Sequence, residues 1–210
     1  MKKWNALLSS ALIVLPLTMF GSTAHADKTA GIEVSYDFNV GSSNFTTCPA
    51  QAAEMMCLGT GVRVSRVASE VGDAEHRDVS IDVNVFAIHL HPDGSFEIGE
   101  LLNSGSGTGR ADFNGVRSAM VSGAVPMADG STAMVRFSLA GTGVASPYSG
   151  TANVDEPACP SGTADIGYRG RTREAVATGQ LSIGGVVQVP TVAAGPASLL
   201  VEHDEGACTP

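Results

Sequence analysis

The sequence predicts an all-β fold: an antiparallel β-sandwich or flattened barrel built from hairpins and stabilised by disulfides. Three observations predict it. Apolar residues recur at every second position and hardly ever at helical spacing, turn-forming residues separate the alternating runs, and four cysteines follow an opening segment that marks the chain for export.

That opening segment comes first. Met1-Lys2-Lys3 is a positive start, Ala6 to Phe20 an apolar run, and Ala24-His25-Ala26 a small-x-small cleavage motif before Asp27. Residues 1–26 therefore read as a signal peptide and 27–210 as a single secreted β-sandwich domain. The apolar run falls short of the roughly 20 residues that span a bilayer, so no transmembrane anchor is expected and the destination is the periplasm or the medium. Removing the signal leaves 210 − 26 = 184 residues, a length that suits one domain burying about 70% of its unfolded surface.

In the first strand Ile32, Val34, Tyr36 and Phe38 alternate with polar residues, which assigns these four to the core. Val40–Thr47 then reads as a loop rich in Gly, Ser and Thr, and it holds an Asn44-Phe45-Thr46 glycosylation sequon. Ala50–Met56 offers one short helical turn. Val79, Ile81, Val83 and Val85 form a second inward set, after which the apolar phase moves to Phe86, Ile88 and Leu90. Either a β-bulge near Val85-Phe86 or a strand buried on both sides explains that shift. His91-Pro92-Asp93-Gly94, Met127-Ala128-Asp129-Gly130 and Gly184-Gly185 are hairpin turns by composition. Asn103–Gly109, with Gly105-Ser106-Gly107-Thr108-Gly109 inside it, reads as a flexible connection, since no Lys or helix follows to make a phosphate loop.

Arg77–Val85, Arg117–Val125 and Arg173–Leu181 share a template, an arginine followed by small or apolar residues at alternate positions. The glycine in the last two copies suggests a turn, hence three β-hairpins. Ala133, Val135, Phe137 and Leu139 form a further inward set, Thr142–Gly162 is a long loop that Cys159 would have to pin, and Ala197–Val201 is a final strand with a polar tail.

Cys48, Cys57, Cys159 and Cys208 all lie in the exported part, where thiols are oxidised. Three connectivities are possible. Cys48–Cys57 needs only local geometry and Cys159–Cys208 would tie down both the long loop and the tail, so this pairing is expected.

Charge and composition narrow the function. The chain carries 12 Lys and Arg against 21 Asp and Glu; without Lys2 and Lys3 the balance is 10 − 21 = −11. Such a surface disfavours nucleic acid and anionic membranes, whose phosphates must be met by basic residues. The one tryptophan, Trp4, leaves with the signal, so little flat aromatic surface remains for stacking on sugars. The chain has no Cys-x-x-Cys and no Gly-x-Ser-x-Gly.

Two constellations stand out. Arg169, Arg171 and Arg173 alternate with Gly170 and Thr172, which on a strand sets three guanidinium groups along one face. They could grip a small anionic ligand or an acidic protein partner, or pair with the protein's own acids across the sheet. His89 and His91, one residue apart, could share a metal with Asp93 or Glu97, the third ligand coming from His76 or His203. The leading expectation is an exported non-catalytic protein without cofactor, acting through its surface as a binding, envelope-associated or inhibitory protein. The alternative is a metal-dependent exported enzyme centred on His89 and His91.

Overall fold

The computed structural model describes residues 33–48, 55–69, 78–91, 95–157, 159–191 and 197–209, so the expected cleavage point at residues 26 and 27 lies outside the described residues. Gly31–Pro210 clusters as one compact unit. Ten antiparallel strands build it, with no helix among the described residues: β1 (Glu33–Thr47), β2 (Met55–Ser69), β3 (Asp78–Leu90), β4 (Phe96–Asn114), β5 (Ser118–Pro126), β6 (Thr132–Gly141), β7 (Ser146–Asp155), β8 (Thr163–Ile183), β9 (Val186–Pro190) and β10 (Ala197–Cys208).

Neighbouring strands pair in order from β1 to β6, β6 pairs with the second half of β8, the first half of β8 pairs with β10, and β10 returns to β1. The ladder thus closes into a ring. β7 continues β6 along one side of β8, and β9 continues β10 along the other. Closure satisfies backbone groups that an open sheet would leave on its edges.

Two of the expected inward sets, Val79, Ile81, Val83, Val85 and Ala133, Val135, Phe137, Leu139, are buried in one core cluster. Phe45 and Phe137 meet edge to face with ring centroids 5.4 Å apart inside it, so side chains fill the ring. β1 differs from expectation. Its odd residues Asn39, Gly41, Ser43 and Phe45 are the buried ones, while Phe38 is only half-buried on the other face. The reason is register: Gly41 lies opposite both Val64 of β2 and Leu199 of β10, two core residues, and a Cβ on it would stand 2.8 Å from Leu139 Cδ1.

The phase change after Val85 is a bulge. Register shifts occur at Val85/Phe86 and Phe86/Ile88, with the extra residues on the partner strand β4, and Ala87 and Ile88 are both buried, so the strand is also covered on both sides there. The turns at Met127–Ser131 and Gly184-Gly185 fall where composition put them, and Gly130, Gly184 and Gly185 have positive φ; of the expected turn at His91-Pro92-Asp93-Gly94, the His91 N–H donates to the Ser95 carbonyl at 2.9 Å and 92–94 lie outside the described residues.

Three loop readings are corrected. Val40–Thr47 belongs to β1, Asn103–Gly109 to β4, and Ser146–Asp155 of the supposed long loop is β7. Small residues serve packing in these strands. Gly109 lies opposite Gly123 on β5, and Ile81 Cδ1 occupies the space over both, 2.4 and 2.6 Å from where their Cβ atoms would be. The repeat likewise falls in single strands, from Asp78 in β3, from Ser118 in β5 and throughout in β8, because Gly123 and Gly179 sit within strands that run on past them; Arg77 lies outside the described residues. The Asn44 sequon is mid-strand beside the fully buried Phe45. Of the suggested helical turn, Met55 and Met56 are strand and 50–54 lie outside the described residues.

Both disulfides pair as expected, Cys48–Cys57 and Cys159–Cys208. The second packs in a small cluster with Ala164 and Ile166, and the tail it ties is ordered strand to Cys208.

Candidate functional site

The strands do not all end together. β4, β5 and β6 meet at Asn114, Ser118 and Gly141, whereas β2, β1, β10, β8 and β7 run further and form a wall above the packed interior. Alternation carries the inner face of the ring up this wall, from Ala175 and Leu199 in the core to Arg173, Arg171 and Arg169 on β8 and to Val201, His203 and Glu205 on β10.

Register lines up two rows there. Arg66 of β2 faces Asn39, Asn39 faces Val201, and Val201 faces Arg171. One row above, Asp37 faces His203 and His203 faces Arg169. Directly opposed residues share a face, so these side chains form one patch, roughly 14 Å wide from Arg66 to Arg171 over three strand spacings.

The three arginines of the sequence motif do not act alike. Arg173 is half-buried, and its Nε–H and a terminal N–H donate to the carbonyls of Thr142 and Gly143 at 3.2 and 2.7 Å, which fastens the β6–β7 turn. Arg169 and Arg171 are exposed and have no ion-pair partner within 4.0 Å among the described residues. The cross-strand acids that could have neutralised them are absent from their positions: their opposites on β10 are His203 and Val201, and on β7 Ser149 and Pro147.

The structure adds members to the patch that the sequence motif did not include. The guanidinium of Arg66 lies 5.9 Å from the centre of the Phe113 ring, and its Nε is buried without a hydrogen-bond partner. His203 Nδ1 is 2.8 Å from Asp37 Oδ1, and its Nε2 is 3.9 Å from Glu205. On the wall's opposite face are Tyr148, Tyr168, Glu202 and Asp204. The two tyrosine rings are 6.3 Å apart, and burial, aided by Glu202, raises the Tyr148 hydroxyl well above its ordinary range. Burial and then the charge of Glu202 push the Asp204 carboxyl up to about 6, with His203 acting in the other direction. The alternation of β10 thus sorts Glu202 and Asp204 away from the arginine patch.

His89 and His91 lie exposed at the end of β3, with His89 opposite Glu97 of β4. No group of three His, Cys, Asp or Glu able to hold a metal occurs among the described residues. Of the two expected third ligands, His203 is bonded to Asp37 at the wall and His76 lies outside the described residues, as does Asp93.

No family model matches the chain, and no curated protein matches it. Among solved structures it aligns with a Nitrosomonas europaea protein given the provisional name AttH, at 14% identity over 85% of this chain and 52% of that one, with a TM-score of 0.27. The chain spans about half the length of that protein. A likeness at this level says nothing about function.

Proposed function

We propose that this is an exported, non-catalytic β protein that binds an anionic partner on the patch formed by Arg66, Arg169 and Arg171. The partner is a small molecule bearing a carboxylate, sulfate or phosphate group, or an acidic segment of an envelope protein. The observation that carries this reading is the pair of exposed guanidinium groups of Arg169 and Arg171, without an ion-pair partner among the described residues, on a chain of net charge −9. Their planar forks suit oxyanions, and the surrounding acidic surface gives the patch contrast. The side chains packed inside the ring support a site on the surface. Export rests on the opening segment, and the two disulfides suit an oxidising compartment.

Calorimetric titration with sulfate and with a poly-glutamate peptide tests the patch. Arg169→Gln with Arg171→Gln should weaken whichever anion binds by tenfold or more, and added salt should weaken it further. Undiminished binding by the double variant would reject the assignment. Amino-terminal sequencing of the exported protein should begin at Asp27, and a chain that keeps Met1 would reject the processing.

A further inference from the structure

A second cationic row lies on the outer face of the ring, away from the wall. Two adjoining depressions of about 740 and 510 Å³ share Arg110, Ser122, Arg136 and Gln180. These four residues are one register row across β4, β5, β6 and β8. Arg110 and Arg136 are therefore two strand spacings apart, roughly 10 Å, with the Ser122 side chain between them. Both arginines are exposed, and neither has an ion-pair partner within 4.0 Å among the described residues.

The flanks of this row are apolar. Met120 and Met134 lie one row to either side of it on β5 and β6, 60% and 55% exposed. Thioether chains adapt to irregular apolar surfaces, and two of them left in water beside paired guanidiniums leave apolar surface that a ligand could cover. Asp112 also lines the larger depression. The volumes fall in the range of small-molecule sites.

We propose that this outer groove binds an anionic amphiphile: one carboxylate or sulfonate head held between Arg110 and Arg136 by their N–H groups and the Ser122 hydroxyl, and an unbranched apolar tail laid over Met120 or Met134. The site is independent of the wall patch.

Calorimetry on the full chain, below micelle-forming concentrations, tests it with dodecanoate, dodecyl sulfonate, dodecanol and acetate. Dodecanoate and dodecyl sulfonate should bind, with dodecanol and acetate each at least tenfold weaker. Arg136→Gln should weaken dodecanoate tenfold or more, and Met120→Ser with Met134→Ser should weaken it severalfold. Arg110→Gln repeats the head-group test should Arg136→Gln fail to fold. Equal binding of dodecanol, equal binding of acetate, or full affinity in the folded arginine variant would each overturn the proposal. Loss of dodecanoate binding in the Arg169/Arg171 variant would move the amphiphile to the wall and overturn it too.

Discussion

β8 runs through two regions that share one face of one strand yet behave oppositely. Its second half presents Ala175 and Leu181 to the packed interior, where both are buried; its first half presents Arg169 and Arg171 on the same side, where both are exposed. Alternation is unbroken between them. What changes is the company: β6 pairs with β8 up to Ala175, and beyond it β7 takes that place, past the ends of β4, β5 and β6. A strand's inner face is dry only where the ring surrounds it, and where the ring gives way to a wall the same face can carry charge without a desolvation penalty.

The largest expected effect concerns how the wall is held. Cys159–Cys208 joins residues 49 apart and Cys48–Cys57 residues 9 apart. In the chain-entropy view, replacing the first pair by alanine costs about 4 kcal/mol and the second about 3 kcal/mol. Denaturant midpoints of the two double variants check the order. A reversed order would mean that the wall holds together without its bridge.

Next comes the contrast itself. Leu139, in the core cluster, should lose about 3 kcal/mol of stability as Leu139→Ala, whereas Arg171→Gln should change it by no more than about 0.5 kcal/mol. Equal losses would erase the distinction between interior and wall.

The smallest effect is a pH dependence on the wall's outer face. Asp204 has its carboxyl raised from 3.8 to about 6, so in the folded state it holds its proton more tightly than in the unfolded chain. The stability this contributes is present below about pH 4 and is lost as the pH rises through about 6. Asp204→Asn should therefore raise the melting temperature at pH 7.5 and leave it nearly unchanged at pH 3.5. The side chain is partly exposed, so the gain is small. A variant that is less stable at pH 7.5 would show that the ionised carboxylate is favourably held.

Much of the fold is legible in local pattern. The inward sets of β3 and β6, the phase break at Val85-Phe86, the turns at Met127–Ser131 and Gly184-Gly185 and the Cys48–Cys57 bridge all follow from residues near one another in sequence, and with that bridge made Cys159 is left to Cys208. The misreadings share one cause. Gly105-Ser106-Gly107-Thr108-Gly109 has the composition of a loop, and only the seating of Ile81 over Gly109 and Gly123 shows why a strand there needs to lack side chains. The inward face of β1 followed the core positions of β2 and β10 and not its own hydrophobic pattern, so Asn39 and Ser43 are buried while Phe38 is only half-buried.

The candidate site divides the same way. That Arg169, Arg171 and Arg173 share a face is a consequence of strand period alone, and the sequence by itself determined it, together with the all-β class and the acidic balance of the chain. That Arg173 is occupied by the carbonyls of Thr142 and Gly143, that Arg66 and His203 join the patch, and that the arginine row stands above a filled core were decided only by the tertiary structure. The physical reason is that side-chain direction repeats every two residues along a strand, whereas register joins residues more than a hundred positions apart. Which residues share a row, and where the ring stops enclosing them, depend on how all the strands close together.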